Sequence, residues 1–568
     1  MNANTIEGWL ATAISAKLKM DEEQMDRTLP FSSLGLDSLV LLTLTGELAE
    51  MLGRDLSPSL VWEYPTIETL ARHLATQSVG APDGLIPCAP RDRPLPLSFA
   101  QERIWRHARK DGEGDSNLIV RRYILNGTLN VDALRHSLTE VIRRHEILRT
   151  TFSVVEGEPV RSIHPPAHAT LSLTDLTVES KPADEALRLL VEAWRPMNLE
   201  RGPLLRTMLF RLAESEHRLV FVLHHLLFDA TSLPVFFDEL SAHYSAYCAG
   251  AGSPLTEPAL QAADFAVWQR DWLRRDGEPY QRRLAWWKEY WRKPMPPVLE
   301  LPFRRASPSE TPGVGNRGIE WEVSPALVDQ VKDLGRREDA TSYVCFLAVF
   351  ESLLYQLTGL EDMIIGTYVS DRSRIAAKNA LGCYIDLMPL RARLSGQPTF
   401  LEVLHRTRDT LRETSIHQGL PFEELVRGLQ DEGGEVPCIQ VIFNQIQDPG
   451  LRLKLPGLAI QRWVSELPPG RGWGVTLRIV EATDKLKAVL EFDDGLYDPA
   501  GMAEMLQQYE ALLGTIVADP DHRICPSGVV PNVSSHLSDH ETTDFKRSAG
   551  KPRDRSSLLR RAWFRGPD

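Results

Sequence analysis

A strongly apolar segment that ends in two adjacent histidines places the tightest constraint on this 568-residue chain. The run Leu219-Val220-Phe221-Val222 is typical of a buried strand, and His224 and His225 follow it almost at once. Asp229 comes four residues after His225, where the strand gives way to a loop. A neutral histidine is a base near physiological pH, and a nearby carboxylate can orient it or hold its loop. The segment therefore predicts either an acid–base site or a pair of core histidines satisfied by backbone.

Composition narrows the class of protein. A formal net charge of −13 argues against a nucleic-acid binder. The six cysteines are scattered without a C-x-x-C pair, which suits a reducing compartment and gives no metal signal. Residues 1–13 lack the pattern of a signal peptide, and no apolar run approaches the roughly 20 residues of a membrane helix. We expect a soluble, cytoplasmic protein with neither nucleic acid nor membrane as a partner.

The first 76 residues predict a small all-α bundle of four helices. Apolar residues recur at helical spacing from Ile6 to Leu18, and a second helical run follows LGLDSL, which spans residues 34–39. Ser38 then falls at a helix start, where free backbone N–H groups and the helix dipole favour a phosphate. The plainer interpretation is that Ser38 only caps the helix.

LGLDSL and the later segment WEYPTIETLARHL together resemble an acyl or peptidyl carrier domain. The resemblance implies that Ser38 carries 4′-phosphopantetheine, attached covalently by a phosphopantetheinyl transferase. Asp37, directly before the serine, is more usual in polyketide-type carriers and favours an acyl or polyketide cargo. Residues 77–93 are rich in glycine and proline, which predicts a linker.

From residue 94 to the two histidines, strand-like and helical patterns alternate, which predicts that residues 94–531 form a mixed α/β (α+β) region. We predict a strand over Leu118–Leu125, a helix from Val131, an apolar helix over Tyr343–Leu357 and a strand over Met363–Val369. A tryptophan-rich helix near residues 286–291 divides the region, and we expect its tryptophans to pack rather than to stack on a cofactor.

Six motifs in this region occur in a fixed order. They are SFAQERIW, RHEILRTTF, HHLLFDA, ADFAVW, GCYIDL and HQGLPFEEL. Their order and spacing resemble the condensation domains of non-ribosomal peptide synthetases. The resemblance implies two chloramphenicol-acetyltransferase-like halves, residues 94–290 and 291–531, that form a V with a tunnel between them. Carrier-bound donor and acceptor are expected to enter the tunnel from opposite faces.

The resemblance also implies roles for single residues. His225 matches the catalytic histidine, and His224 matches its partner. Adjacent residues of an extended segment point to opposite faces, so we expect His224 to be structural. Asp229 matches an aspartate that pairs with an arginine to shape the site, and Arg372 is the best match for that arginine. A solvated surface position is the alternative for Arg372.

The chain departs from the family's usual pattern at two motif positions. Ala230 stands where glycine is common, and Asp386 stands where asparagine is common. The first change adds a methyl group near the tunnel and the second adds a charge. Both bear on which acceptor is preferred.

The rest of the chain bears on the expected partners. No adenylation domain is visible in it, so we expect a trans-acting adenylating enzyme or an upstream synthase to charge the carrier. The acceptor is then a free small molecule or the cargo of a downstream carrier protein. Residues 532–568 are polar, and they are basic from Lys546 onward, which predicts a disordered tail.

These expectations converge on an acyltransferase of non-ribosomal peptide or hybrid polyketide biosynthesis. It would condense a carrier-bound acyl thioester with an amine or alcohol. Two alternatives stay open. Epimerisation domains share the His-His-x-x-x-Asp motif and also follow carriers, but SFAQERIW and RHEILRTTF have the form of condensing members. The large region could instead be a catalytically silent recruitment platform.

Overall fold

The structure is a computed structural model, and it leaves parts of the chain undescribed. Ser38, Arg372 and the predicted tail at residues 532–568 all lie outside the described residues. The described residues are 2–18, 20–21, 25–31, 34, 36, 41, 44–45, 47–48, 51–52, 60–76, 86–110, 117–193, 195–292, 294–305, 316–370, 380–431, 433–448, 450–463, 474–482 and 485–526.

The N-terminal region is helical and has its own core. Three of its helices are α1 (Ala3–Leu18), α2 (Leu60–Glu63) and α3 (Ile67–Thr76). Leu41, Leu44 and Leu48 are also helical, at the spacing that puts their side chains on one face. The core consists of buried apolar side chains, among them Ile6, Leu10, Ile14, Phe31, Leu36, Leu41, Leu44, Leu48, Val61, Ile67, Leu70 and Leu74.

The large region combines helices with three sheets, as the alternating patterns predict. Its helices are α4 (Phe99–Lys110), α5 (Val131–Arg144), α6 (Pro182–Ala193), α7 (Ser232–Cys248), α8 (Ala262–Trp272), α9 (Glu278–Trp291), α10 (Pro325–Arg337), α11 (Ser342–Thr358), α12 (Phe400–Ile416), α13 (Phe422–Gln430) and α14 (Pro499–Ala518). A single 3₁₀ turn covers Glu146–Arg149.

The strands are short and lie in sequence between these helices. They are β1 (Leu95–Pro96), β2 (Leu118–Gly127), β3 (Thr150–Val155), β4 (Glu158–Ile163), β5 (Leu171–Asp175), β6 (Leu205–Ala213), β7 (Glu216–His224), β8 (Asn316–Val323), β9 (Asp362–Ser370), β10 (Ile385–Arg393), β11 (Val441–Gln447), β12 (Leu458–Arg462), β13 (Val475–Glu481) and β14 (Leu486–Asp493).

Each half of the large region is built on one sheet. The first half has the strand order β12-β2-β7-β6-β5, with β7 at its centre. The second half has the order β10-β9-β11-β13-β14-β8. A small third sheet, β1-β4-β3, flanks the first half. Since β7 is paired on both edges and almost wholly buried, the histidines at its end are held by the most enclosed strand of the first sheet.

Two segments of the second half cross over to the first. β12 joins the edge of the first sheet by antiparallel pairing with β2, where Leu458 lies opposite Gly127. Buried side chains from residues 380–384 pack into the core of the first half. The second crossover brings part of the GCYIDL motif against the end of β7.

The tryptophan-rich helix α9 packs into the core of the second half. Trp287 and Trp291 are buried there, and Trp286 stacks on His417 with ring centroids 3.9 Å apart. The division of the chain into halves at residues 290 and 291 stays a prediction. Helix α9, most of which precedes that point, already packs its side chains into the core of the second half.

Among the described residues, no single helix combines the length and apolar composition of a membrane span. The adjacent helices α10 and α11 reach that composition only together, and they bend by 101° at the break between them.

Candidate active site

The two histidines lie at the end of β7, where the chain turns sharply. The backbone N–H of His225 donates to the carbonyl oxygen of Asn117 at 2.7 Å, beside the start of β2. The N–H of Leu227 donates to the carbonyl oxygen of His224 at 2.9 Å and closes the turn. The turn therefore has a fixed backbone before any side chain contributes to it.

His224 points into the protein and is fully buried. Its ring Nδ1 accepts the backbone N–H of Leu226 at 3.1 Å. The backbone N–H of His224 donates to the carbonyl oxygen of Leu204 at 3.0 Å. A neutral imidazole that accepts at Nδ1 carries its proton at Nε2. The side chain of His224 is thus used to hold the turn.

His225, the first residue after the strand, keeps part of its surface accessible. Burial lowers the pKa of His225 to about 4, although the Asp229 carboxylate works in the opposite direction. The positive charge of Arg103 and the neighbouring His224 add to the lowering. His225 is therefore a neutral imidazole at physiological pH, which is the form that can accept a proton. Its Nδ1 lies 4.0 Å from the sulfur of Cys383.

The carboxylate of Asp229 is buried and binds backbone from both halves. One oxygen accepts the N–H of Ser232 at 2.7 Å, at the start of α7. The other accepts the N–H of Tyr384 at 3.2 Å, in the crossover segment of the second half. The backbone N–H of Asp229 donates to the carbonyl oxygen of Gly382 at 3.1 Å. Asp229 therefore fastens the loop of His225 to the opposite half.

The predicted pairing of Asp229 with Arg372 stays a prediction, since Arg372 lies outside the described residues. The same holds for Ser38 as the attachment site. Of the five predicted site residues, the described part of the structure places His224, His225 and Asp229, and it brings these three together at one turn.

Charged residues lie close to this turn, and the sequence analysis did not single out two of them, Arg103 and Glu423. The guanidinium of Arg103, on α4, is buried; its Nη2 donates to the carbonyl oxygen of Ile385 at 3.4 Å. Its Nε lies 3.6 Å from an oxygen of Glu423, at the start of α13. Burial raises the pKa of the Glu423 carboxyl, and Arg103 opposes that rise. Asp386 contributes a second negative charge beside Arg103.

Each of these residues lies inside a motif that the sequence did reveal. Arg103 belongs to SFAQERIW, Cys383 and Asp386 belong to GCYIDL, and Glu423 belongs to HQGLPFEEL. The motifs could have indicated Arg103, Cys383 and Glu423 as candidates, as they did indicate Asp386. Nothing in the motifs says which of their side chains face His225.

A cavity of about 310 Å³ connects the N-terminal region with the second half. Its walls come from the start of α11, from α12 and from the ends of β9 and β11, and it reaches Ala230 in the loop after His225. Four residues of the N-terminal region also line it: Phe31, Leu41, Val61 and Pro65. The cavity thus runs from the N-terminal helices to the loop that carries the histidines.

The fold and the site define a two-half α/β domain with a neutral histidine on a clamped loop, joined to a small helical domain. The condensation-domain family matches residues 92–535, and a phosphopantetheine attachment site matches residues 8–74. The chain belongs to the condensation-domain family, and its N-terminal domain is of the kind in which a serine carries covalent 4′-phosphopantetheine. The predicted fold of a helical carrier followed by two chloramphenicol-acetyltransferase-like halves is confirmed.

Curated relatives carry the same combination of domains. One of the proteins that make up linear gramicidin synthase of Brevibacillus parabrevis is 32% identical over 535 residues, which is 92% of this chain and 10% of that protein. Malpibaldin synthetase of Mortierella alpina is 32% identical over 494 residues, which is 85% of this chain and 9% of that protein. The chain spans about a tenth of the length of these relatives.

Solved structures share the fold. The X-domain from teicoplanin biosynthesis superposes with a TM-score of 0.68 at 26% identity, covering 78% of this chain and 99% of that one. The same kind of domain, solved in complex with OxyB, gives a TM-score of 0.67 at 25% identity over 80% of this chain and 99% of that one.

Proposed function

We propose that this protein condenses an acyl group, carried as a thioester on Ser38, with an amine or alcohol acceptor, and that His225 is the base. The family supports acyl transfer of this kind in non-ribosomal peptide synthesis.

The observation that carries the proposal is the continuous cavity between carrier and catalytic loop. Leu41, on the carrier side of the cavity, follows Ser38 by three residues. Three residues of chain span at most about 11 Å, so the cavity begins within reach of that serine. It extends to Ala230, which follows His225 by five residues. This arrangement favours a carrier that delivers to the domain beside it.

The lining of the cavity also fits the arm of a carrier. The surface of its walls is mostly apolar, as the hydrocarbon stretches of pantetheine require, and amide, hydroxyl and charged side chains interrupt it, the charged ones being Asp339, Arg408 and Arg412. When bound to Ser38, the arm supplies the acyl group as a thioester.

The residues around His225 suit proton transfer from the acceptor. As the acceptor's nitrogen or oxygen forms its bond to the acyl carbon, the neutral His225 imidazole takes the proton that this atom must lose. The bond between the acyl carbon and sulfur would break in the same transfer, with the pantetheine thiolate as the leaving group. Asp229 and His224 hold the turn and so position His225, and they take no part in the proton transfer themselves.

A single-turnover assay tests the proposal. The purified chain is loaded by a phosphopantetheinyl transferase with a surrogate acyl group, and amine and alcohol acceptors are added separately in D₂O. We expect His225→Ala to load normally and to transfer at least about 10²-fold more slowly, as is usual for a lost acid–base group. Ser38→Ala is the loading control and should accept no arm.

The same assay separates the alternatives. Deuterium uptake at the α-carbon of a loaded aminoacyl group, without transfer to any acceptor, would show epimerisation and overturn the proposal. Equal transfer by wild type and His225→Ala would contradict a role for His225 as the base.

A silent recruitment platform is the second candidate function. It is favoured by the likeness to an X-domain that was solved in complex with OxyB. On this hypothesis no acyl transfer occurs with any acceptor, although Ser38 still loads. Charging of the carrier in trans, a downstream carrier as partner and a cytoplasmic location all stay predictions.

A further inference from the structure

One residue of the cavity has a polar atom that the rest of the described protein leaves without a partner. The side-chain oxygen Oε1 of Gln445, on β11, is buried and has no hydrogen-bond partner among the described residues. None of the other described residues that line the cavity has such an atom. A buried acceptor without a donor is unfavourable, so its presence at a ligand cavity calls for an explanation.

The sheet opens beside this residue. The parallel strands β9 and β11 pair only where Val441 lies opposite Ile365 and Ile442 lies opposite Gly366. Beyond that point the residues of both strands line the cavity. The cavity therefore occupies the gap between two neighbouring strands that have separated.

Gln445 is held at this gap by its neighbours along the strand. Successive residues of a strand alternate between faces, so Gln445 shares a face with Phe443. Phe443 is fully buried and packs edge-on against Tyr343 of α11, with ring centroids 5.3 Å apart. The hydroxyl of Tyr343 in turn lies 2.6 Å from that of Thr367 on β9. The packed rings of Phe443 and Tyr343 hold β11 in place. Gln445 is the next side chain on the same face of β11, and it lines the cavity.

We infer that Gln445 is a positioning residue for the carrier arm: its carboxamide, whose Oε1 is closed off while the cavity is empty, turns toward the bound arm and accepts a hydrogen bond from an amide N–H of phosphopantetheine. The inference rests on the proposed function, because it needs the arm to occupy the cavity. Pantetheine carries secondary amides between hydrocarbon stretches, and such an N–H needs an acceptor once it leaves water. Among the acceptors of the wall, Gln445 offers one that no described residue already occupies.

A non-reactive arm allows this to be measured without turnover. Ser38 is loaded with a pantetheine analogue whose thioester is replaced by an amide that bears a trifluoroacetyl group. Fluorine NMR then gives the ratio of docked to free arm. We expect Gln445→Leu and Gln445→Met to lower this ratio about fivefold to tenfold, the effect of losing one hydrogen bond.

Gln447 provides a matched control. It is two residues further along the same strand, on the same face, but it is exposed and does not line the cavity. Gln447→Leu should leave the docked fraction unchanged. The unloaded Gln445→Leu protein should unfold at the same temperature as wild type or higher, because the change removes an unpaired buried acceptor.

The outcomes are distinguishable. An unchanged docked fraction in both Gln445 variants, or an equal loss in Gln447→Leu, would overturn the inference and leave the proposed function intact. If the arm on the wild-type protein gives no docked signal, both the inference about Gln445 and the proposed function are overturned.

Discussion

The hydroxyl of Ser232 binds the backbone of Gly382 in both directions. It donates to the carbonyl oxygen of Gly382 at 2.6 Å and accepts the Gly382 N–H at 3.1 Å. Ser232 begins helix α7 of the first half, whereas Gly382 belongs to the crossover segment of the second half. The loop between His225 and α7 is therefore fixed against the opposite half by the Ser232 hydroxyl as well as by the Asp229 carboxylate.

The close approach of Gly382 predicts that even one added methyl group is costly there. A Cβ on residue 382 would lie 2.5 Å from the nearest ring carbon of Tyr384. That ring is buried and packs edge-on against Phe265 with centroids 5.0 Å apart, so it has little freedom to yield. We expect Gly382→Ala to lower the free energy of unfolding in urea by about 1–3 kcal/mol, the usual cost of overpacking.

Gly514 serves as the control for this change. It lies in α14, is exposed, and an added Cβ would meet no atom within 4 Å. Gly514→Ala should raise stability by about 0.5–1 kcal/mol, because alanine is the better helix former. A Gly382→Ala protein as stable as wild type would mean that the Tyr384 ring or the backbone at residue 382 can shift without cost.

Removal of the Asp229 carboxylate should destabilise the domain. Asp229→Ala leaves the buried N–H groups of Ser232 and Tyr384 without their acceptor. We expect a loss of about 1–3 kcal/mol in the free energy of unfolding for each donor left unpaired. If the predicted pair with Arg372 also exists, an uncompensated buried charge adds to this loss.

Asp238→Ala is the matched control, because Asp238 is an exposed aspartate on α7. Its ion pair with Arg452, at 3.6 Å, is exposed to solvent, so the change should alter the free energy of unfolding by less than about 1 kcal/mol. A stable, folded but inactive Asp229→Ala protein would indicate that the carboxylate takes part directly in the chemistry.

The low pKa of His225 predicts an unusual pH profile. Burial sets this pKa at about 4, well below the ordinary value of 6.5. The base form is present above the pKa, so the rate of acyl transfer from the loaded carrier should stay on its plateau well below pH 6.5. It should fall only as the pH approaches about 4. An inflection near pH 6.5, absent from the residual rate of His225→Ala, would contradict this.

Stability gives an independent measure of the same group. Between pH 6.5 and about 4 the unfolded chain binds a proton at His225 that the folded protein does not, so acid favours unfolding in this window. The contribution of the neutral side chain is complete above pH 6.5 and is lost as the pH falls towards 4. We expect the difference in unfolding free energy between wild type and His225→Ala to shrink over that range.

Strand β7 illustrates how far local patterns lead. The apolar run Leu219–Val222 predicts a strand, and the strand extends to Glu216 at one end and His224 at the other. His217 and Arg218 are polar and give no strand signal by themselves. Pairing with β2 on one side and β6 on the other buries them, which is a tertiary effect.

The sequence by itself determined the helical carrier, the mixed α/β region and the turn that carries His225, because residue type and spacing control local structure. Only the tertiary structure decided what surrounds that turn. Cys383 lies beside His225 although they are 158 positions apart in the sequence. Arg103 likewise pairs with Glu423, which belongs to a distant part of the sequence. Such contacts depend on how the two halves close on each other and on which strands separate to form a cavity. No local pattern encodes that closure, so the role inferred for Gln445 has no signal in the sequence.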